Sequence, residues 1–304
     1  MKDIQQLRHD LREGVIAFPV TPFHAKDWSL DLAGYRKNVE EMMDYPLAAL
    51  VAAGGTGEMY SITPEEQVAL VKATVEISGG KIPVIAGAGF GGGLSVVMAA
   101  EAEKHGADGI LMFPPYYPGA DFEGLLDYYK GIGKATKLGL LLYGRDWVNL
   151  TPGQVERAAA EIPNLAAFKD GQGKVRDYQR TIQRVGDRLN WIGGIGDDCV
   201  PGYYSIGIRT YTSSVATIAP KLSIQIHERA AAQDQAGLLD LMNKYVLPLY
   251  DIRARRKGYE VTVMKEAMNI LGKAGGVVRP PLPQLNPGER EEIAKLMKAY
   301  GPVL

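Results

Sequence analysis

Short apolar runs recur along the chain and alternate with longer stretches of helical periodicity. The runs are GVIAF (14–18), LAALVAA (47–53), IPVIAG (82–87), GILMF (109–113), LGLLLY (138–143), LAAFK (165–169), NWIGG (190–194) and IRTYTS (208–213). None alternates cleanly between apolar and polar positions, the pattern of strands in a parallel sheet covered on both faces. Between them lie amphipathic segments such as 65–78, 94–105, 121–135, 152–161 and 174–185. Two carry explicit start signals, since Thr63-Pro64-Glu65-Glu66 and Thr151-Pro152 each set a capping hydroxyl before a first-turn proline.

Eight strands, each followed by a helical segment, predict a (β/α)8 TIM barrel. After residue 219 the strand pattern stops. Helical segments follow at about 221–232, 234–250, 255–273 and 287–300, interrupted by the proline-rich VVRPPLPQLNPGE (277–289). The expected division is a catalytic barrel over 1–225 and a small C-terminal helical bundle over 226–304. Barrel active sites form at the C-terminal ends of the strands. The polar residues there are Gly54-Gly55-Thr56-Gly57-Glu58 after the second strand, Tyr143 after the fifth and Lys169 after the sixth. Gly193-Gly194 follow the seventh strand and Ser213-Ser214 the eighth.

Composition narrows the chemistry mainly by exclusion. The 304 residues are 46% hydrophobic and 23% charged, with a formal net charge of −1. That balance gives no long-range basic field for nucleic acid or an anionic membrane surface. A single cysteine, Cys199, rules out an intramolecular disulfide and fits a reducing cytoplasm. The opening MKDIQQLRHDLREG lacks the apolar core of a signal peptide, and no apolar stretch approaches the length of a membrane-spanning helix. His9, His24, His105 and His227 are scattered without ligand spacing, so no metal is expected. The clusters Arg253-Ala254-Arg255-Arg256-Lys257 and Glu289-Arg290-Glu291-Glu292 read as solvated helix faces or intersubunit contacts.

Lys169 admits two readings. A lysine after a strand is commonly a solvated end residue. Held among apolar neighbours, it would lose its proton more readily and serve as an amine nucleophile toward a keto group. Consecutive strand side chains face opposite sides, so a Lys169 turned into the barrel requires Asp170 to turn away. Tyr143 is either a core aromatic with a wet hydroxyl or a proton shuttle beside an imine. Gly87, Gly89 and Gly92 satisfy G-x-G-x-x-G, yet they follow the third strand and Asp108 precedes the next strand instead of ending it. A dinucleotide fingerprint would sit at the first βα turn.

The ordered set FPVTPF (18–23), GGTGE (54–58), the Ser-x-Thr-x-x-Glu of 61–66, PVIAGAG (83–89), GADG (106–109), PPYY (114–117), the tyrosine of LGLLLY and the lysine of FKD resembles the dihydrodipicolinate synthase/N-acetylneuraminate lyase superfamily of Schiff-base-forming barrels. Gly55-Thr56 stands where the synthases have two threonines, Tyr143-Gly144-Arg145-Asp146 replaces their tyrosine-asparagine-x-proline, and Val148 stands where they have an arginine. GGTGE, Arg145-Asp146, FKDG and TYTSSV (210–215) are similar instead to the superfamily's 5-dehydro-4-deoxyglucarate dehydratases, although Gly144 occupies a usual asparagine position. That resemblance implies Lys169 as the imine-forming lysine and Tyr143 as the proton shuttle. It implies Gly55, Thr56 and Gly57, with backbone N–H groups of 54–57, as binders of the α-keto carboxylate. Tyr117 would join a proton relay from a neighbouring subunit. Arg145, Gly193, Ser213 and Ser214 are further substrate-binding candidates, with Arg145 and the serines toward the distal hydroxyls and carboxylate.

The implied activity converts 5-dehydro-4-deoxyglucarate to 2,5-dioxopentanoate, water and carbon dioxide. It needs no metal or organic cofactor, because the protonated imine is the electron sink. The implied assembly is a homo-oligomer, dimer or tetramer. A retro-aldol lyase or another dehydratase acting on a 2-keto-3-deoxy sugar acid shares this imine chemistry. A nicotinamide oxidoreductase and a non-catalytic sugar-acid sensor stand as readings from other classes.

Overall fold

A computed structural model describes residues 2–304. A first helix, α1 (Ile4–Asp10), precedes the barrel. The wall then alternates β1 (Gly14–Ala17), α2 (Leu32–Met42), β2 (Ala49–Ala52), α3 (Pro64–Ser78), β3 (Val84–Phe90), α4 (Gly92–Lys104), β4 (Gly109–Pro115) and α5 (Phe122–Ala135). It continues with β5 (Gly139–Gly144), α6 (Pro152–Glu161), β6 (Leu165–Asp170), α7 (Val175–Val185), β7 (Asn190–Gly193), α8 (Val200–Ser205), β8 (Thr210–Ser213) and α9 (Pro220–Ala231). All eight strands pair in parallel, and β1 pairs with β8 to close the barrel, with Val15 opposite Tyr211 and Ala17 opposite Ser213. The expected (β/α)8 architecture is therefore the observed one.

Local signals explain where the helices begin. Thr63 caps α3 and Thr151 caps α6, each in a reciprocal box with Glu66 or Gln154 three residues on. Below the barrel, α1 acts as a plug. Leu7 is fully buried, and its Cδ2 lies so close to Gly109 that a side chain there would stand 3.0 Å from it. The glycines of GAGFGG have an equally local explanation. Gly87 and Gly89 lie within β3, where a Cβ would collide with the Ala53 carbonyl and with Phe113, and the Gly87 carbonyl accepts a bond from Gln67.

The C-terminal region continues through α10 (Gln235–Leu241), a π-helical turn at Met242–Val246, α11 (Leu247–Arg253), α12 (Tyr259–Ile270) and α13 (Pro287–Ala299). Helix α12 packs on both α11 and α13 and touches the turn after β8, which brings it to the rim at the C-terminal ends of the strands. A buried ion pair fixes that approach: Lys265 of α12 meets Glu58 of the GGTGE loop and donates to the Val277 carbonyl at 2.7 Å. The Arg279 backbone N–H donates to the same Glu58 carboxylate at 3.1 Å.

Candidate active site

Strands β5, β6 and β7 bring the two central side chains together. Tyr143 lies directly opposite Lys169 in the β5–β6 register, and Lys169 opposite Ile192 in β6–β7. Lys169 points into the barrel and is only 3% exposed. Its Nζ donates to the Gly194 carbonyl at 3.0 Å and lies 3.3 Å from the centre of the Tyr143 ring. The Tyr143 hydroxyl donates to the same carbonyl at 3.4 Å. Gly194 must be glycine, because a Cβ there would strike the Lys169 side chain. Asp170 turns to the other face, where it accepts from the Tyr203 hydroxyl at 2.8 Å and from the Gln172 and Gly173 backbone.

This arrangement leaves the amine with a neutral acceptor and no contacting carboxylate. Burial is the main cause that holds Lys169 well below the usual lysine range. The nearby Arg145 cation lowers it further, against weaker opposition from Asp170 and Asp146. Burial likewise pushes the Tyr143 phenol up, with the Arg145 charge acting against it. A partly neutral amine beside a protonated phenol can attack a carbonyl and have a proton supplied or removed next to it.

The GGTGE loop forms the adjacent wall. Gly54 packs against Phe18, where a side chain would collide with the ring, and the Gly57 carbonyl accepts from Thr21 at 2.7 Å. Arg145 stands over this loop. Its guanidinium lies 5.3 Å from the Tyr143 ring centre, its Nε reaches Asp146 at 2.7 Å, and its Nη1 would sit 3.1 Å from a Cβ on Gly55.

Above these groups opens a cavity of about 760 Å³. Of the residues singled out from the sequence, Lys169, Tyr143, Gly55, Thr56, Arg145, Ser213 and Ser214 line it. Gly57 and Gly193 do not. Gly57 faces Pro19 and the Gly54 backbone, and a Cβ on Gly193 would enter the Tyr203 ring, so the glycine facing the lysine is Gly194, one residue on. Tyr117 lies outside the cavity of its own chain and is 70% exposed. Ser213, though at the cavity edge, is held in the wall, hydrogen-bonded to Asp197, to Ser223 at 2.8 Å and to the Ala216 N–H at 3.0 Å.

A second group of residues, not among the site residues expected from the sequence, backs or lines the cavity. Asp197, fully buried behind the wall, accepts from Ser213, from the Ser214 N–H at 3.2 Å and from the Tyr250 hydroxyl at 2.8 Å. Burial raises its carboxyl, and the Ser213 and Tyr250 bonds pull it back down. Arg253, Lys257 and Glu260 reach the cavity from the C-terminal region. The expectation of a solvated face over 253–257 therefore fails at Arg253, which is buried. A sequence signal for this existed, because Arg253 follows the buried Leu249 by four positions on the same face of α11. Among the described residues no cluster of three or more His, Cys, Asp or Glu could hold a metal ion, and no helix is long and apolar enough to cross a membrane.

Comparison with known proteins adds an independent line. The model of the dihydrodipicolinate synthetase family matches residues 11–300. A protein of Bradyrhizobium diazoefficiens named probable 5-dehydro-4-deoxyglucarate dehydratase is 38% identical over 97% of this chain and 94% of its own. One of the same name from Rhodococcus opacus is 36% identical over 97% of each chain. Among solved structures, dihydrodipicolinate synthase from Oceanobacillus iheyensis superposes with a TM-score of 0.91 at 26% identity, covering 99% of this chain and 100% of that one. The synthase from Acinetobacter baumannii, complexed with pyruvate, gives a TM-score of 0.87 at 29% identity, covering 96% and 100%.

Proposed function

The chain belongs to the dihydrodipicolinate synthetase family and is an enzyme of it, and on that premise we propose that it is a decarboxylating dehydratase of 5-dehydro-4-deoxyglucarate, working through an imine on Lys169. The observation that carries the reading is the buried Lys169 amine, depressed in pKa and bonded only to the Gly194 carbonyl, directly against Tyr143. The relatives' printed name supports the substrate.

In this mechanism the neutral Lys169 attacks the α-keto carbon, and the carbinolamine hydroxyl leaves as water with the Tyr143 proton, giving an iminium beside a Tyr143 phenolate. Thr56 and the N–H groups of 54–57 hold the neighbouring carboxylate. The iminium acidifies the adjacent methylene, and the Tyr143 phenolate oxygen takes one proton as the enamine forms. The enamine then expels the β-hydroxyl, which leaves as water with the proton from Tyr143. The resulting conjugated iminium accepts the electron pair of the bond to the distal carboxylate, which departs as carbon dioxide. Reprotonation and hydrolysis release 2,5-dioxopentanoate and return the free amine. Tyr117 would enter this relay only where a second copy of the chain delivers it to the cavity of the first, within a homo-oligomer.

Product analysis tests the reading. Incubation with 5-dehydro-4-deoxyglucarate should yield carbon dioxide and 2,5-dioxopentanoate in equal amounts, without added metal or cofactor. Formation of pyruvate without carbon dioxide would assign a retro-aldol lyase instead.

A further inference from the structure

The imine chemistry leaves one buried cation of the cavity wall without a task. Arg253 ends α11 and is 8% exposed. Its guanidinium lies 4.1 Å from the centre of the Tyr250 ring, on the wall it shares with Lys257. Its Nε and Nη1 are buried without a hydrogen-bond partner among the described residues, and the guanidinium otherwise shares a bond only with the neutral Tyr250 hydroxyl, itself engaged with Asp197. A guanidinium stays charged at any physiological pH, and unmet donors on a buried cation are costly, so such a group is commonly waiting for an anion.

Asp197 and Asp198 are the carboxylates whose charge Arg253 feels. Asp197 does not complete its bonding, because its oxygens already accept from Ser213, the Ser214 and Val215 N–H groups and Tyr250. Arg145, the other arginine of the cavity, is differently placed. It pairs with Asp146, overhangs Gly55 and acts electrostatically on Lys169, so it belongs to the end of the cavity where the imine forms. Ser213 is held by its own neighbours.

We propose that Arg253 binds the far carboxylate of a dicarboxylic keto acid, and so selects diacids over monoacids of the same length. This rests on the imine reading of the site and adds to it the residue that recognises the second charge. Carbon dioxide is neutral, so an arginine that grips the departing carboxylate favours the bound substrate more than the product. Removing it should therefore raise KM more than it lowers kcat.

The test compares three compounds on the intact enzyme, with borohydride trapping at Lys169 as the readout. They are 5-dehydro-4-deoxyglucarate, the six-carbon keto-deoxy acid ending in a hydroxymethyl group, and pyruvate. Arg253→Met should raise the half-saturating concentration of the diacid by about a hundredfold, the usual scale for losing a buried charge partner. Trapping of both monoacids should not change. Arg253→Lys keeps a cation near Asp197, secures a folded protein, and should still lose most of the preference for the diacid. A parallel loss for all three compounds would overturn the proposal by reducing Arg253 to a structural counter-charge, and so would an undiminished preference in either variant. Absence of any adduct in the unsubstituted enzyme would instead remove the imine reading, and this assignment with it.

Discussion

The chain buries two lysines, and they make a controlled comparison. Lys169 ends a barrel strand and Lys265 lies within α12; the two are 3% and 1% exposed. Each ammonium position faces an aromatic ring, Tyr143 for Lys169 and Phe23 for Lys265. Burial lowers the pKa of both. What differs is the partner. Lys265 meets the Glu58 carboxylate and the Val277 carbonyl, which hold its proton and commit it to tying the C-terminal region to the loop. Lys169 has a neutral carbonyl, a neighbouring arginine and a carboxylate turned to the other face. Burial alone does not make a lysine nucleophilic; burial without a counter-ion does.

The largest effect that could break this comparison is on turnover. Lys169→Met should abolish borohydride trapping and lower the rate by at least about 10⁴-fold, as removal of a nucleophile does. It should also raise the thermal midpoint, since it removes an amine whose burial favours deprotonation. The sign follows from linkage: between the depressed folded pKa and the ordinary lysine value the unfolded chain binds the extra proton, so stability falls as pH drops through that window. The variant should lose the Lys169 share of this slope and keep that of Lys265, which is also depressed. A calorimetric series against pH would show it, and an unchanged slope would count against a neutral Lys169.

Tyr143→Phe comes next. Loss of a general acid–base group should lower kcat by roughly 10²–10⁴-fold while the Lys169 adduct with pyruvate still forms, which single-turnover trapping measures. Failure to form the adduct would make the Tyr143 proton indispensable to imine formation, a step in which water can otherwise supply it at a lower rate.

Lys265→Met should act on the other side of the comparison. Leaving the Glu58 carboxylate buried and unpaired should destabilise the fold by roughly 3–5 kcal/mol, and the double variant with Glu58→Met should recover most of that loss. Urea unfolding of the three proteins would measure it. The smallest effect concerns Arg145. With Arg145→Ala, the cation that depresses Lys169 is gone and Asp146 is left to favour the ammonium. The acidic limb of the rate of imine formation should then move to higher pH.

Much of this was legible in the sequence, for physical reasons. Strands covered on both faces appear as apolar runs, so all eight were located within a few residues, and Thr63 and Thr151 announced their helices. What stayed hidden depended on distant packing. Gly193 and Gly194 are indistinguishable as letters, and the Tyr203 ring and the Lys169 side chain decide which faces the cavity. Ser213 reads as a substrate-binding candidate from its strand-end position, but Asp197 and Ser223 engage its hydroxyl within the wall. Arg253 was grouped with its charged neighbours 255–257, although the spacing from Leu249 put it on the buried face of its helix. Arg253, Lys257, Glu260 and Val261, within the expected C-terminal bundle, line the cavity together with the barrel residues.

The most direct measurement is borohydride reduction in the presence of pyruvate, followed by peptide mass mapping of every lysine. The account predicts one adduct, on Lys169, with Lys265 unmodified although it is equally buried and also depressed in pKa. An adduct on Lys265 or any other lysine in place of Lys169, or none at all, would contradict it.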